Sequence, residues 1–269
     1  VSIQGETEGH CRWSVEKSIT VSKEGGKQSL VLWEDSTQKP KCPTVEAGYP
    51  LQTFSGSGTI PAFQLGRSEV PEKLYEMVMG ELPGTGKVEV YNGESDTSKP
   101  CDALPNGPNY PVRCVTYTEG IQFFNALSEM EALEKAYTLQ GNVWTLNSKA
   151  SGYRYPSSEE WELAAKQTLP EWFAQGASWP DACKVAHLKG CGTEGWSEVK
   201  TDTMRDLLGN VWEWVGDPSG ASKQEAVNYH RGCSVKSDIA KKCDPLLIEA
   251  VQAEDRLQSQ GLRLARNGI

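Results

Sequence analysis

Eight cysteines stand singly along a chain of 269 residues, and no two are spaced as Cys-x-x-Cys. That placement excludes zinc ribbons and thioredoxin-like redox motifs, which need two close thiols. An even number of isolated cysteines instead fits a disulfide framework made in an oxidising compartment. Taken in order they form sequence-local couples: Cys11/Cys42, Cys101/Cys114, Cys183/Cys191 and Cys233/Cys243. Eight cysteines allow about 105 connectivities, so the order is an expectation rather than a derivation. Its motive is that Gly, Pro, Asn and Ser dominate the enclosed stretches, which a covalent tie would hold. The competing reading is a cytosolic protein with inert buried thiols. The chain begins at Val1, with no basic or apolar leader region. A removed signal peptide is therefore expected, with a periplasmic, envelope-anchored or secreted location.

Charge and histidine content narrow the function classes. Lys and Arg total 27 against 36 Asp and Glu, a net charge of −9. Nucleic acid, which wants a basic footprint, is disfavoured, and so is an anionic membrane surface. No apolar run approaches the roughly 18 residues of a membrane span. Three histidines, His10, His187 and His230, are too few for a His-rich zinc or iron site. The length suits one large domain or two small ones.

Local patterns are short and widely spaced. Residues 1–60 read as strands and turns, with a hairpin-like signal over Ser18–Val21 and Leu30–Trp33. Residues 53–59 (TFSGSGT) read as a flexible loop. Glu72–Met79 has helical spacing, with Leu74, Met77 and Val78 on one face and Gly80 as its stop. Residues 92–110 read as loop. Thr118–Leu133 reads as a helix carrying Ile121, Phe124, Leu127 and Ala132. Asn142–Leu146 is a short strand. Ser157 and Glu160 spell a capping box, followed by Trp161, Ala164 and Ala165 on one helical face through Lys166. Residues 167–203 are long and irregular, with Trp172, Trp179 and Trp196 as expected anchors.

Five ordered blocks then carry a family resemblance. They are YPVRCVTYTEGIQFFNALS from Tyr110, GYRYPSSEEWELAAK from Gly152, LLGNVWEWVGD from Leu207, RGCS from Arg231 and GLRLAR from Gly261. With FQLGRSEVPEKLYEMVMG from Phe63, they resemble the formylglycine-generating enzyme (sulfatase-modifying factor) family over roughly residues 60–266. The resemblance implies an α+β fold of the C-type-lectin-like kind, with short strands, two or three helices and long irregular loops. Nine tryptophans suit such a loop-rich core. Residues 1–45 read as an N-terminal extension of strands and turns, and 46–269 as the family-like domain.

The chemistry does not carry over whole. The generating enzyme holds copper with two thiolates, the soft ligands that Cu(I) prefers. Ser237 and Lys242 stand at those two positions here. Cys233 and Cys243 lie near but at the wrong spacing, so a structural disulfide is expected and copper is not. The iron-binding histidines of the sulfoxide-synthase branch have no counterpart. The resemblance implies that Ser234 lies at the substrate cleft, with Trp214, Arg231 and His230 as further cleft candidates. The bland alternatives are a turn hydroxyl for Ser234, core packing for Trp212 and Trp214, and a strand-end or surface place for His230. Asn210 and Glu213 offer oxygen ligands for the calcium that the family often holds near this block. Otherwise Asn210 caps a turn and Glu213 pairs with an Arg. Arg154 and Arg263 match family arginines that tie loops by buried, bidentate bonds. Glu159, Glu160 and Glu162 read as a solvated helix face and cap.

The reading is therefore an exported, catalytically divergent member acting as a binding or structural module of the cell envelope. Its partner is a protein or small molecule of unspecified identity. The alternative is a periplasmic or secreted oxidoreductase, either like the pyoverdine-maturation branch or with a shifted thiol-copper site.

Overall fold

The computed structural model describes residues 49–83, 107–170, 195–216, 227–237 and 246–268, the backbone of 2–6 and 12–16, and positions 183, 186–188, 191 and 243. In chain order the elements are β1 (Ser2–Glu6), β2 (Arg12–Glu16), β3 (Leu51–Phe54), β4 (Phe63–Gly66), α1 (Glu72–Met79), α2 (Tyr117–Met130), β5 (Tyr137–Gln140), β6 (Val143–Leu146), α3 (Ser158–Thr168), β7 (Trp212–Val215), β8 (Val227–Arg231), β9 (Glu249–Gln252), β10 (Gln260–Gly261) and β11 (Ala265–Asn267). The fold is α+β, with short strands in small sheets joined by irregular chain.

Each helix has a local reason to start and stop. Thr116 accepts from the Glu119 amide while the Glu119 carboxylate bonds back to the Thr116 amide, a capping box at the head of α2. Ser157 and Glu160 do the same for α3, as the sequence predicts. Gly80 ends α1 at φ 83°, a left-handed position that glycine takes without strain. The inward face of α1 is Leu74, Tyr75 and Val78, while Met77 is exposed. Tyr75 takes the place expected of Met77 because its ring stacks on Phe123 of α2, centroids 5.2 Å apart. Helix α2 stops short of Leu133: Ala132 sits at φ 56°, where the chain turns back toward β5.

Four sheets follow. β1 and β2 pair antiparallel, Ser2 opposite Glu16 and Glu6 opposite Arg12. β3 and β11 flank β4 in an antiparallel sheet of order β11-β4-β3. Thr53 and Phe54 thus belong to a strand, and Ser57 bridges Ile60, so 53–59 is an ordered turn rather than a flexible loop. Phe54 stacks on Phe63 across that sheet, which is what holds the turn in place. β5 and β6 form a hairpin about Gly141 at φ 62°; the sequence showed only its second strand. The last sheet has the order β10-β7-β8-β9, with β10 and β7 parallel and the other pairs antiparallel.

The core lies in three clusters. One packs α1 and α2 around Tyr75, Phe123, Phe124, Tyr155 and Trp214. A second sets Trp161 and Ala164 of α3 against Phe54, Phe63, Leu65 and Val215. The third gathers Leu188, Leu208 and Trp212 around Cys233 and Cys243. Disulfides join Cys183 to Cys191 and Cys233 to Cys243, as the sequence-local pairing expects. Cys114 is disulfide-bonded too. Cys11, Cys42 and Cys101, the 18–33 hairpin, Trp172, Trp179 and Lys242 lie outside the described residues.

Candidate functional site

Strand β7 divides its side chains between two faces, as a period of two requires. Trp212 and Trp214 share one face and Glu213 points to the other. Glu213 is fully buried and meets an equally buried Arg263. Arg263 Nε donates to both carboxylate oxygens at 2.9 and 3.0 Å, and Nη2 donates to Oε1 at 2.6 Å. Trp161 Nε1 donates to Oε2 at 2.8 Å. The same guanidinium reaches Gly66 O from Nη1 and Arg205 O from Nη2, so one pair ties β7, β4, α3 and the 204–206 segment. Burial pulls the Arg263 pKa down, but the bonds and field of Glu213 outweigh it and leave the pKa raised. Arg154 forms a second such tie: Nη1 and Nη2 donate to the Glu160 carboxylate at 2.6 and 2.7 Å.

These ties bear on the calcium expected at Asn210 and Glu213. Both Glu213 oxygens are already taken by cationic or N–H donors. Asn210 Oδ1 accepts from the Ser197 amide at 3.0 Å, and its Nδ2 donates to Ser197 O. The two side chains present no shared set of free oxygens, so they do not fit a cation. Among the described residues, no group of three or more His, Cys, Asp and Glu side chains is placed to hold a metal ion. Of the α3 glutamates, Glu159 is exposed and Glu160 closes the cap as expected, but Glu160 and Glu162 are not simply solvated. Glu160 is buried against Arg154, and Glu162 bonds Arg231 at 3.0 Å and Lys166.

The cleft candidates lie side by side in sequence but face different ways. His230 is not a surface residue: it is 1% exposed, stacked on Trp212 with ring centroids 4.2 Å apart. Its Nδ1 faces Gln260 Oε1 at 2.5 Å and its Nε2 faces Glu249 at 3.4 Å. Trp214 is fully buried beside it and donates from Nε1 to Val115 O. Arg231 turns to the opposite face, where Nε donates to Ser158 Oγ at 2.8 Å. Ser234 occupies a tight turn. Its amide donates to Ser237 Oγ at 3.0 Å, and its hydroxyl accepts from the Lys236 amide at 3.2 Å. Ser237, at the first copper position, is buried in this turn, and the neighbouring sulfurs are locked as Cys233–Cys243. A disulfide and a buried hydroxyl do not fit the soft donor pair that Cu(I) needs.

Other buried polar residues were not singled out by the sequence. Arg113 is 1% exposed and lies under the Trp196 ring, its Cζ 3.6 Å from the ring centroid. Lys236 Nζ lies 5.2 Å from the same centroid. Burial lowers the Arg113 pKa to about 10, partly offset by Glu72. Glu69 is fully buried and neither carboxylate oxygen finds a partner. Burial pushes its pKa well up, the nearby Asp206 carboxylate pushes it further, and Arg263 opposes both. Arg256 pairs bidentately with Glu119, the residue that also closes the α2 capping box. The Thr-x-x-Glu spacing at 116–119 is the one signal that would have marked this last group.

Comparison with known proteins fits this architecture. Chaperone protein LppX of Paenibacillus barcinonensis is 29% identical over 250 aligned residues, which span 78% of this chain and 81% of that protein. The solved structure of Treponema denticola variable protein 1 superposes with a TM-score of 0.62 at 20% identity, covering 82% of this chain and 95% of that one. CarF gives 0.59 at 20% identity, covering 79% and 89%. PvdO from Pseudomonas aeruginosa gives 0.53 at 19% identity, covering 82% and 92%. At such identities these structures establish a shared fold. The model of the sulfatase-modifying factor enzyme 1-like domain matches residues 44–268, and with the fold described above it makes this chain a member of that family.

Proposed function

We propose that the chain is an extracytoplasmic binding module that uses the family scaffold to hold another protein instead of oxidising a thiol. The observation that carries this reading is the chemistry of the 233–243 segment. Ser237 and Lys242 stand where the generating enzyme has thiolates, and the two nearby sulfurs are bonded to each other. Glu213, Trp214 and His230, buried on β7 and β8, meet other residues of this chain and act as ties between loops. Bonded cysteines favour a compartment where disulfides persist. The sequence relative bearing the name of a chaperone supports holding as the activity, and the disulfides support a place outside the cytoplasm.

Two assays on the purified chain test this. The first incubates it with Cu(I), oxygen and a cysteine-containing peptide, then measures peptide mass. No conversion of cysteine to the aldehyde is expected; copper-dependent conversion would sink the reading. The second follows light scattering as a chemically unfolded carrier protein is diluted into buffer. A stoichiometric fall in scattering is expected, and scattering equal to the carrier alone would count against a holding role.

A further inference from the structure

Several of the described arginines are held by ion pairs. Arg154, Arg231, Arg256 and Arg263 each meet a carboxylate. Arg113 is 1% exposed, yet among the described residues no carboxylate forms an ion pair with it, and Glu72 reaches it only through its field. Its Nη1 donates to Gln258 O at 2.7 Å, and its Nε–H, buried, has no acceptor. The Trp196 indole lies over the guanidinium, its ring centroid 3.6 Å from Cζ, and its own Nε1–H is likewise buried without an acceptor. Lys236, exposed, brings a second positive charge to the same ring. Two unmet buried donors beside two cations are costly in a folded protein unless something supplies oxygen. The Nε-bearing edge of a guanidinium is the edge that a carboxylate grips with two bonds. Trp196 follows Gly195, whose left-handed backbone has open space around its Cα, and the indole itself is half-exposed. The indole is thus a cover resting on Arg113 through stacking, with no hydrogen bond holding it.

We infer that Arg113, Trp196 and Lys236 form a binding site for a carboxylate side chain of a peptide segment, with the Trp196 indole turning aside to admit it. The carboxylate accepts from Arg113 Nε, Lys236 closes over it, and the indole packs on the adjoining peptide. This rests on the holding role proposed above and names what is held: an acidic stretch of polypeptide. The chain carries a net charge of −9, so an acidic peptide is repelled by most of its surface and gains only where these two cations stand.

The probe is a blocked hexapeptide of alternating Glu and Gly, with its Gln counterpart as control and inorganic phosphate as a competing anion. Binding is measured by calorimetry, and the cover by tryptophan fluorescence. The Glu peptide is expected to bind about tenfold or more tightly than the Gln peptide, the scale of one charge-assisted bond. Lys236→Gln, at an exposed position, is expected to lose a comparable factor, and Arg113→Gln more. Trp196→Phe is expected to abolish the fluorescence change. Equal affinity for the Glu and Gln peptides would overturn the inference. So would an unchanged affinity in Lys236→Gln, or phosphate binding as tightly as the Glu peptide. Arg113→Gln is interpreted only if its melting curve matches wild type, and Lys236→Gln carries the test otherwise. A copper-dependent aldehyde in the oxidase assay removes the holding role instead, whichever peptide binds, so the two failures are told apart.

Discussion

Arg263 and Glu213 face each other with no exposure at either side chain, fifty residues apart in sequence, and the pair is capped by Trp161 Nε1. It is the point where β4, β7 and α3 are pinned together. Arg263→Met leaves a carboxylate buried without its cation. A loss of about 3–5 kcal/mol is expected, as for other broken buried pairs, measured by urea unfolding. A loss below about 1 kcal/mol would mean that the pair is not what holds these elements.

Glu69 sits beside this pair with both oxygens unmet. Its pKa is raised in the folded protein by burial, then by Asp206. The folded state therefore keeps a proton that the unfolded chain gives up above the ordinary carboxylate range. Stability is highest at low pH for this group and falls as pH rises toward the folded pKa. Glu69→Gln is expected to stabilise the protein at neutral pH by about 1–2 kcal/mol and to flatten that decline. Melting temperatures of both proteins between acid and neutral pH check it; parallel curves would show that Glu69 does not titrate with folding.

The two capping boxes are separable. Thr116→Ala and Ser157→Ala are each expected to cost about 1 kcal/mol, the usual value of a lost N-cap. Thr116→Ala has a further readout, because Glu119 also binds Arg256. A double-mutant cycle of Thr116→Ala with Arg256→Gln should show coupling of about 0.5 kcal/mol or more, while Ser157→Ala with Arg256→Gln should be additive.

Replacing Cys233 and Cys243 by serine opens a loop with a sequence separation of 10. Chain-entropy arguments put the cost at about 2–3 kcal/mol. A free-thiol count by intact mass, with alkylation before and after unfolding, should find neither cysteine reactive in the wild type. Reactive thiols mapping to these two would reopen the copper question.

The elements legible in the sequence were those whose signals are local. Glu72–Met79 and the capping box at Ser157 are read from side chains that act within one or two turns of themselves. The family blocks are equally local, and the α+β fold follows from them. Partner choice between distant residues is not local. His230 stands near the end of its strand, as the sequence suggests, but its burial is hidden there, because neither Trp212 stacking on it nor Glu249 facing it can be read from its neighbours. The β5–β6 hairpin was half seen for the same reason: Tyr137–Gln140 is a strand through its pairing with Val143–Leu146.

The sequence by itself determined the family, the starts of Glu72–Met79 and Ser158–Thr168 and the missing thiolate pair, since each depends on residue identity at a fixed spacing, and the family resemblance supplied the reading of Arg154 and Arg263 as ties. Tertiary structure alone decided that Glu213 belongs to Arg263 and Trp161, that Ser234 spends its bonds inside a turn, and that Arg113 lies buried under Trp196 with no ion-paired carboxylate among the described residues. Burial and hydrogen-bond satisfaction are properties of the packed chain, because desolvation depends on every element that closes over a group and not on the residues beside it in sequence.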